Sequence, residues 1–191
     1  MRTLILCLGN ELVSDDGIGA EVGQVLLALP LPTDIEVMMV PRLRFGLLDR
    51  LAEVEHLIIV DGLTAEAEAG TCTLVDVTQH SGAVVASGCC HSREVCDVIR
   101  LARELAPAGA ECSIMIAGVR VGQVERYGAG FSRAALLAVP RIVDLLLLTS
   151  GASLSLRLLA AESLRQREWR EDDSSVPSTW RESCSQVASL Q

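Results

Sequence analysis

Four consecutive apolar residues, Leu57, Ile58, Ile59 and Val60, run into Asp61 and Gly62. No polar residue alternates with them, so a strand built here has no face suited to water. It belongs inside a sheet that is covered on both sides. Other segments agree with that frame. Thr3–Leu8 and Ile35–Val40 read as strands, stopped by Gly9 and Pro41. Residues 71–77 and 112–117 read as two more, the last closed by Gly118. Amphipathic stretches at 17–29, 45–54, 92–105 and 132–148 lie between or after them and read as helices. Strands separated by helices give the α/β class with a mostly parallel sheet. The connection from 61 to 71 holds no helix, so strand 71–77 is expected at an edge, running antiparallel.

The chain has 191 residues, the size of one domain, and half are hydrophobic. Its formal charge of −9 is at odds with a general nucleic-acid binder, which needs a basic surface. All 16 basic residues are arginine, which excludes Schiff-base lysines and a Walker lysine. Three histidines occur, His56, His80 and His91, and one asparagine, Asn10. Seven cysteines without a C-x-x-C read as reduced thiols of a cytoplasmic protein. The apolar run from Leu4 to Leu8 is too short for a secretory signal. The stretch 134–148 is broken by Pro140, Arg141 and Asp144 and falls short of a membrane helix. Residues 1–150 read as the folded α/β domain. Residues 151–191 hold both tryptophans and read as an extension, helical to about Arg170 and then a flexible tail.

Ligands of open α/β sheets sit at the carboxyl ends of strands. The first such loop, residues 9–19, holds Asn10, Asp15, Asp16, Gly17 and Gly19. The second begins at Asp61, and a third ends in S-G-C-C-H-S with His91. Each has a plain structural reading: Ser14, Asp15 and Asp16 as a capped helix start, Asp61 as a turn cap, His91 as a cap before a helix. Taken together, a carboxylate of the first loop, Asp61 and His91 form a ligand set suited to a divalent ion such as nickel or zinc, with positions left open for substrate. The Cys89–Cys90 pair beside His91 is a weaker candidate for thiol or zinc chemistry. The glycines after residue 16 do not fit a dinucleotide fingerprint, and no G-x-S-x-G is present.

The string L-x-L-G-N-x-L-x-x-D-D-G-x-G at residues 6–19 resembles the opening of the hydrogenase maturation proteases. The segments L-I-I-V-D-G, S-G-C-C-H, I-M-I-A-G-V and Y-G-A-G-F-S-R-A-A-L-L-A-V are similar to later stretches of that family, and together they span residues 1 to about 148. The resemblance implies a three-layer α/β/α sandwich around a twisted, mostly parallel five-stranded sheet. It implies an aspartyl-type endopeptidase that removes a carboxyl-terminal peptide from a [NiFe] hydrogenase large-subunit precursor after nickel insertion. Asp16, Asp61 and His91 match the residues that contact the precursor's nickel, while Asn10, Gly17 and Gly19 match positions that shape the loop. No organic cofactor is implied. The chain departs from the family pattern at V-P-R-L-R-F-G, at Gly62 where alanine is usual, at the two cysteines, and at Arg120 where an acid is frequent. A nickel-sensing chaperone that does not cut, or a metal-dependent peptidase with another substrate, would use the same residues.

Overall fold

The computed structural model describes residues 2–40, 54–64, 67–79, 88–105, 112–122 and 130–167. His80, most of the expected helix 45–54 and the tail from 168 lie outside them. Five strands form one sheet: β1 (Thr3–Leu8), β2 (Ile35–Val40), β3 (His56–Leu63), β4 (Cys72–Asp76) and β5 (Ser113–Arg120). Their order is β2-β1-β3-β5-β4. All pairs are parallel except β4 with β5, which is the antiparallel edge expected from the short 61–71 connection. The helices are α1 (Ile18–Leu27), α2 (Ser92–Leu105), α3 (Arg133–Thr149) and α4 (Leu154–Gln166), with a short 3-10 turn at Ser14–Gly17.

Strand side chains alternate between the two faces, and the apolar residues divide accordingly. Leu4, Leu6, Leu57, Ile59, Ile114 and Ile116 join Val95, Val98, Ile99 and Ala102 of α2 in one core. Ile5, Cys7, Ile58, Val60, Ala117 and Val119 face the other way, onto α1, α3 and α4. The central strands are therefore apolar on both faces through their middles, as at Leu4–Leu8 and Leu57–Val60, and the three-layer arrangement follows.

Two strands are longer than the sequence suggests. β3 passes through Asp61 to Leu63 because Gly62 and Leu63 still pair with Val119 and Arg120. Gly118 does not end β5 but lies within it. A side chain there would collide with Leu63, whose Cδ1 is 2.2 Å from the position a Cβ would take. The extension contributes a real layer of packing: Leu156, Ala160 and Leu164 of α4 are buried in the same core. Arg157 of α4 binds Asp144 of α3 through two hydrogen bonds of 2.7 and 2.8 Å. α4 ends at Gln166 rather than continuing toward 170, because Arg167 is extended and turns its guanidinium to Glu21 and Gln24 of α1. No helix among the described residues is long and apolar enough to cross a membrane.

Gly19 sets how closely α1 sits on the end of β1. A Cβ on it would lie 1.9 Å from the Leu8 carbonyl oxygen and 2.9 Å from that of Val60, both backbone atoms. Gly19→Ala therefore has to push α1 off the sheet. The expected loss is about 3 kcal/mol or more, above the usual range for overpacking. Thermal unfolding measures it, and an unchanged melting temperature would refute the close packing.

Candidate active site

The chain leaves β1 toward β2 on one side, while β3 lies on the other. That reversal opens a crevice at the carboxyl ends of β1 and β3, the standard ligand position in such sheets. Two of the three candidate residues reach it for simple reasons. Asp16 lies in the 3-10 turn that follows β1. Asp61 is the next residue after Ile59 on the α2 face of β3, where strand alternation turns it toward the start of α2.

His91 arrives by a less direct route. Since β4 is antiparallel, its own end lies at the opposite edge of the sheet from the crevice. The chain is back at the crevice by Gly88, where Thr64 N–H donates to the Gly88 carbonyl and Cys90 N–H to that of Gly62, both at 2.8 Å. A bridge between Leu63 and Cys89 completes this attachment. His91 then stands at the amino end of α2.

The structure brings Asp16, Asp61 and His91 together, with the imidazole between the two carboxylates. His91 Nδ1 is 2.9 Å from Asp61 Oδ1, and Nε2 is 3.6 Å from Asp16 Oδ2. Asp61 is fully buried. Its oxygens also accept the backbone N–H groups of Gly62 at 2.8 Å and His91 at 2.9 Å. A carboxylate in such a place is tolerated because several donors satisfy it. Asp16 and His91 keep a small exposed edge, 17% and 14% of their side chains. Because the ring separates the carboxylates, the three donors do not converge on one point. Among the described residues, no group of three His, Cys, Asp or Glu side chains is arranged to hold a metal ion.

The electrostatics follow from this geometry. The hydrogen bond to Asp61 raises the His91 pKa above the usual histidine value, against the opposing effect of burial, and both carboxylate charges add to the rise. Burial raises the Asp16 pKa above the usual carboxylate value; His91 lowers it and Asp61 raises it again. The cluster thus favours bound protons more than free side chains would.

The turn that carries Asp16 is held by Asn10 and Gly17, two expected loop-shaping residues, and by further groups around Asp15. Asn10 Oδ1 accepts from Leu12 N at 3.2 Å, its carbonyl from Val13 N at 2.9 Å, and its N–H donates to the Asp16 carbonyl at 3.3 Å. Gly17 leaves no room for a side chain between Glu11 and Phe131. Asp15, read from sequence only as an acid at a helix start, is fully buried. Its Oδ1 accepts from Ser132 N at 2.6 Å and its Oδ2 from Ser132 Oγ at 2.7 Å. Gly122 N approaches Oδ2 at 3.4 Å. Ser14 Oγ donates to the Gly130 carbonyl at 3.1 Å. The only advance signal for these bonds was an acidic pair where one acid would suffice as a cap. Glu11 accepts from Gln24 Nε2 at 2.6 Å, and Gln24 Oε1 accepts from Arg167, so the segment after α4 reaches this loop through one intermediary.

A family model described as hydrogenase maturation protease matches residues 43–149, more than half of the chain. This chain belongs to the hydrogenase maturation protease family. It is accordingly an endopeptidase of hydrogenase maturation. The matched region holds Asp61 and His91; the Asp16 loop precedes it. Among solved structures, the hydrogenase maturating endopeptidase HybD from E. coli is similar with a TM-score of 0.66 at 23% identity, over 79% of this chain and 94% of that one. The [NiFe] hydrogenase maturation protease HybD from Thermococcus kodakarensis gives 0.63 at 22%, over 80% and 100%. HycI from Thermococcus kodakarensis KOD1, also a [NiFe] hydrogenase maturation protease, gives 0.62 at 19%, over 76% and 89%. At such identities the likeness is one of fold. No curated protein matches the chain at a significant level.

In this maturation protease the cysteine pair has the wrong environment for a nucleophile. Burial, the Asp61 charge and Cys96 push the Cys89 thiol to about 12. Burial and the charges of Asp61 and Asp16 do the same for Cys90, also to about 12. Reactive cysteines need the opposite, a positive neighbourhood that stabilises thiolate. At pH 8 only about one thiol in ten thousand would be ionised at such a pKa. Iodoacetamide at pH 8 is therefore expected to leave Cys89 and Cys90 unmodified in the folded enzyme and to label both after unfolding, as read by peptide mass. Rapid native labelling of either would refute this.

A raised histidine pKa also fixes a sign for stability. The contribution of His91 is fully present below the ordinary value of 6.5 and is lost as pH rises through the higher folded value. The melting-temperature advantage of the wild type over His91→Gln should therefore shrink as pH rises above about 6.5. A gap that widens over this range would contradict the assignment of the Asp61–His91 bond.

Proposed function

We propose that this endopeptidase removes the carboxyl-terminal peptide of a [NiFe] hydrogenase large-subunit precursor once nickel has been inserted. One observation supports this above the rest. A histidine lies with a carboxylate at each ring nitrogen, in the crevice where this fold takes ligands, in a chain of the maturation protease family. Nickel belongs to the substrate in this reading and arrives with it.

Asp16, Asp61 and His91 complete the coordination of that substrate-borne nickel. Carboxylate oxygen and imidazole nitrogen suit such an ion. It takes the place of the proton in the Asp61–His91 bond, with a turn of the His91 ring out from between the carboxylates. Asp61 is the fixed member, since the backbone N–H groups of Gly62 and His91 hold it whatever the ring does. Docking through the metal places the scissile peptide at the crevice, and positioning of this kind supplies much of the lowering of the barrier. Water then adds to the scissile carbonyl carbon. A carboxylate at the open edge, Asp16, accepts the water proton and returns it to the departing amine. The net change is one C–N bond broken and one water consumed. Asn10, Gly17 and Gly19 shape the loop that presents Asp16. The chain acts in the cytoplasm, where the precursor is made, and needs no organic cofactor.

The test is the intact mass of a nickel-loaded large-subunit precursor incubated with the protein, beside a nickel-free precursor. Loss of a carboxyl-terminal peptide from the loaded form alone is expected. Asp16→Asn, Asp61→Asn and His91→Ala are each expected to slow cleavage by about a hundredfold or more. Cleavage of both precursor forms at equal rates would discard nickel as the signal. Binding without a change of mass would replace the protease by a chaperone for this substrate.

A further inference from the structure

We propose that Asp15 is a positioning residue for Asp16, acting through Ser132 at the start of α3. The proposal rests on the reading above, in which Asp16 meets the substrate. The Asp16 carboxylate is met by the backbone N–H of Asn10 and, across 3.6 Å, by His91. Its place is set by the backbone of the 3-10 turn Ser14–Gly17. That turn is not in a relaxed conformation. Ser14 has φ +35°, the one non-glycine residue with positive φ among the described residues. Such a conformation persists only where neighbouring contacts enforce it, and it is found disproportionately at functional sites.

The enforcing contacts lie on either side of the Ser14–Asp15 peptide. Ser14 Oγ donates to the Gly130 carbonyl, and the buried Asp15 carboxylate accepts from both N–H and Oγ of Ser132. Ser132 is the N-cap of α3, so the carboxylate also faces the positive end of a 17-residue helix, which compensates its burial. Asp15 thereby ties the turn to a rigid element rather than to another loop. Phe131 packs within 3.3 Å of the space above Gly17, closing the same contact from the next residue. With Asp15 fixed and the backbone of Asp16 bonded to Val13 and Asn10, the Asp16 carboxylate has few directions left, and the one it takes is toward His91.

The experiment measures kcat and KM for the nickel-loaded precursor, with melting temperatures, in five variants. Ser132→Ala removes the Oγ bond to Asp15 and also the cap on Ala135 N. Ser153→Ala removes the equivalent cap of α4, where Ser153 Oγ accepts from Leu156 N, and leaves Asp15 untouched. Ser132→Thr keeps both functions of the hydroxyl. Asp15→Asn weakens the tie from the other side, and Asp16→Asn reports on the site itself. Ser132→Ala is expected to lower kcat at least about tenfold with KM within about twofold of wild type. Ser132→Thr and Ser153→Ala should keep kcat within about twofold, although Ser153→Ala loses thermal stability as Ser132→Ala does. Asp15→Asn should lose at least as much kcat as Ser132→Ala; if it fails to fold, the two Ser132 variants against Ser153→Ala decide the matter. Unchanged kcat in Ser132→Ala, an effect confined to KM, or an equal loss in Ser153→Ala would overturn the positioning role. A fully active Asp16→Asn would instead overturn the reading on which it rests.

Discussion

A carboxylate without access to water has to be answered by donors, and Asp61 is answered mainly by His91. Two of the bonds to Asp61 come from this one residue, through its backbone N–H and its ring. Asp61 therefore does more than sit near the histidine. It fixes where α2 begins and which ring nitrogen points outward. Nδ1 is turned inward, so Nε2 is the nitrogen that meets Asp16. The raised His91 pKa follows first from its hydrogen bond to Asp61, with the charges of Asp61 and Asp16 adding to it.

The sheet makes this possible. β1 and β3 are apolar on both faces, so α/β packing leaves polar groups only at their ends. Asp61 is the first polar residue that β3 meets on leaving the core. The close seat of α1 on β1, set by Gly19, brings the 3-10 turn and Asp16 against the same strand end. On the opposite side of the turn, α3 supplies the cap that Asp15 reaches. The sheet and two helices of one layer thus converge on a turn of four residues.

Much of this was legible in the residues. The unbroken apolar run of β3 announced a sheet covered on both faces, and the missing helix between 61 and 71 announced the antiparallel edge. Asp16 and Asp61 were findable because strand ends are where ligands bind. His91 was reached by analogy with those two, yet its placement has another cause. The strand before it ends at the far side of the sheet, and a backbone attachment to the end of β3 brings it back. Gly118 reads as a strand terminator but lies within β5, since a glycine that makes room for Leu63 looks the same in sequence as one that ends a strand. Asp15 was hidden for a deeper reason. Its partners are more than a hundred residues away, and no local pattern distinguishes an acid that caps its own turn from one that binds a distant helix.

That distance has a consequence for how the domain is completed. The bonds from Asp15 to Ser132 close a separation of 117 residues, while the Asp61–His91 pair spans 30. Contacts so remote in sequence form late, after the chain between them has collapsed and loop-closure entropy has been overcome. A nascent or partly folded chain can hold β1 and β3 and still lack the turn that presents Asp16. The turn at Ser14–Gly17 is therefore complete only once α3 is docked against it.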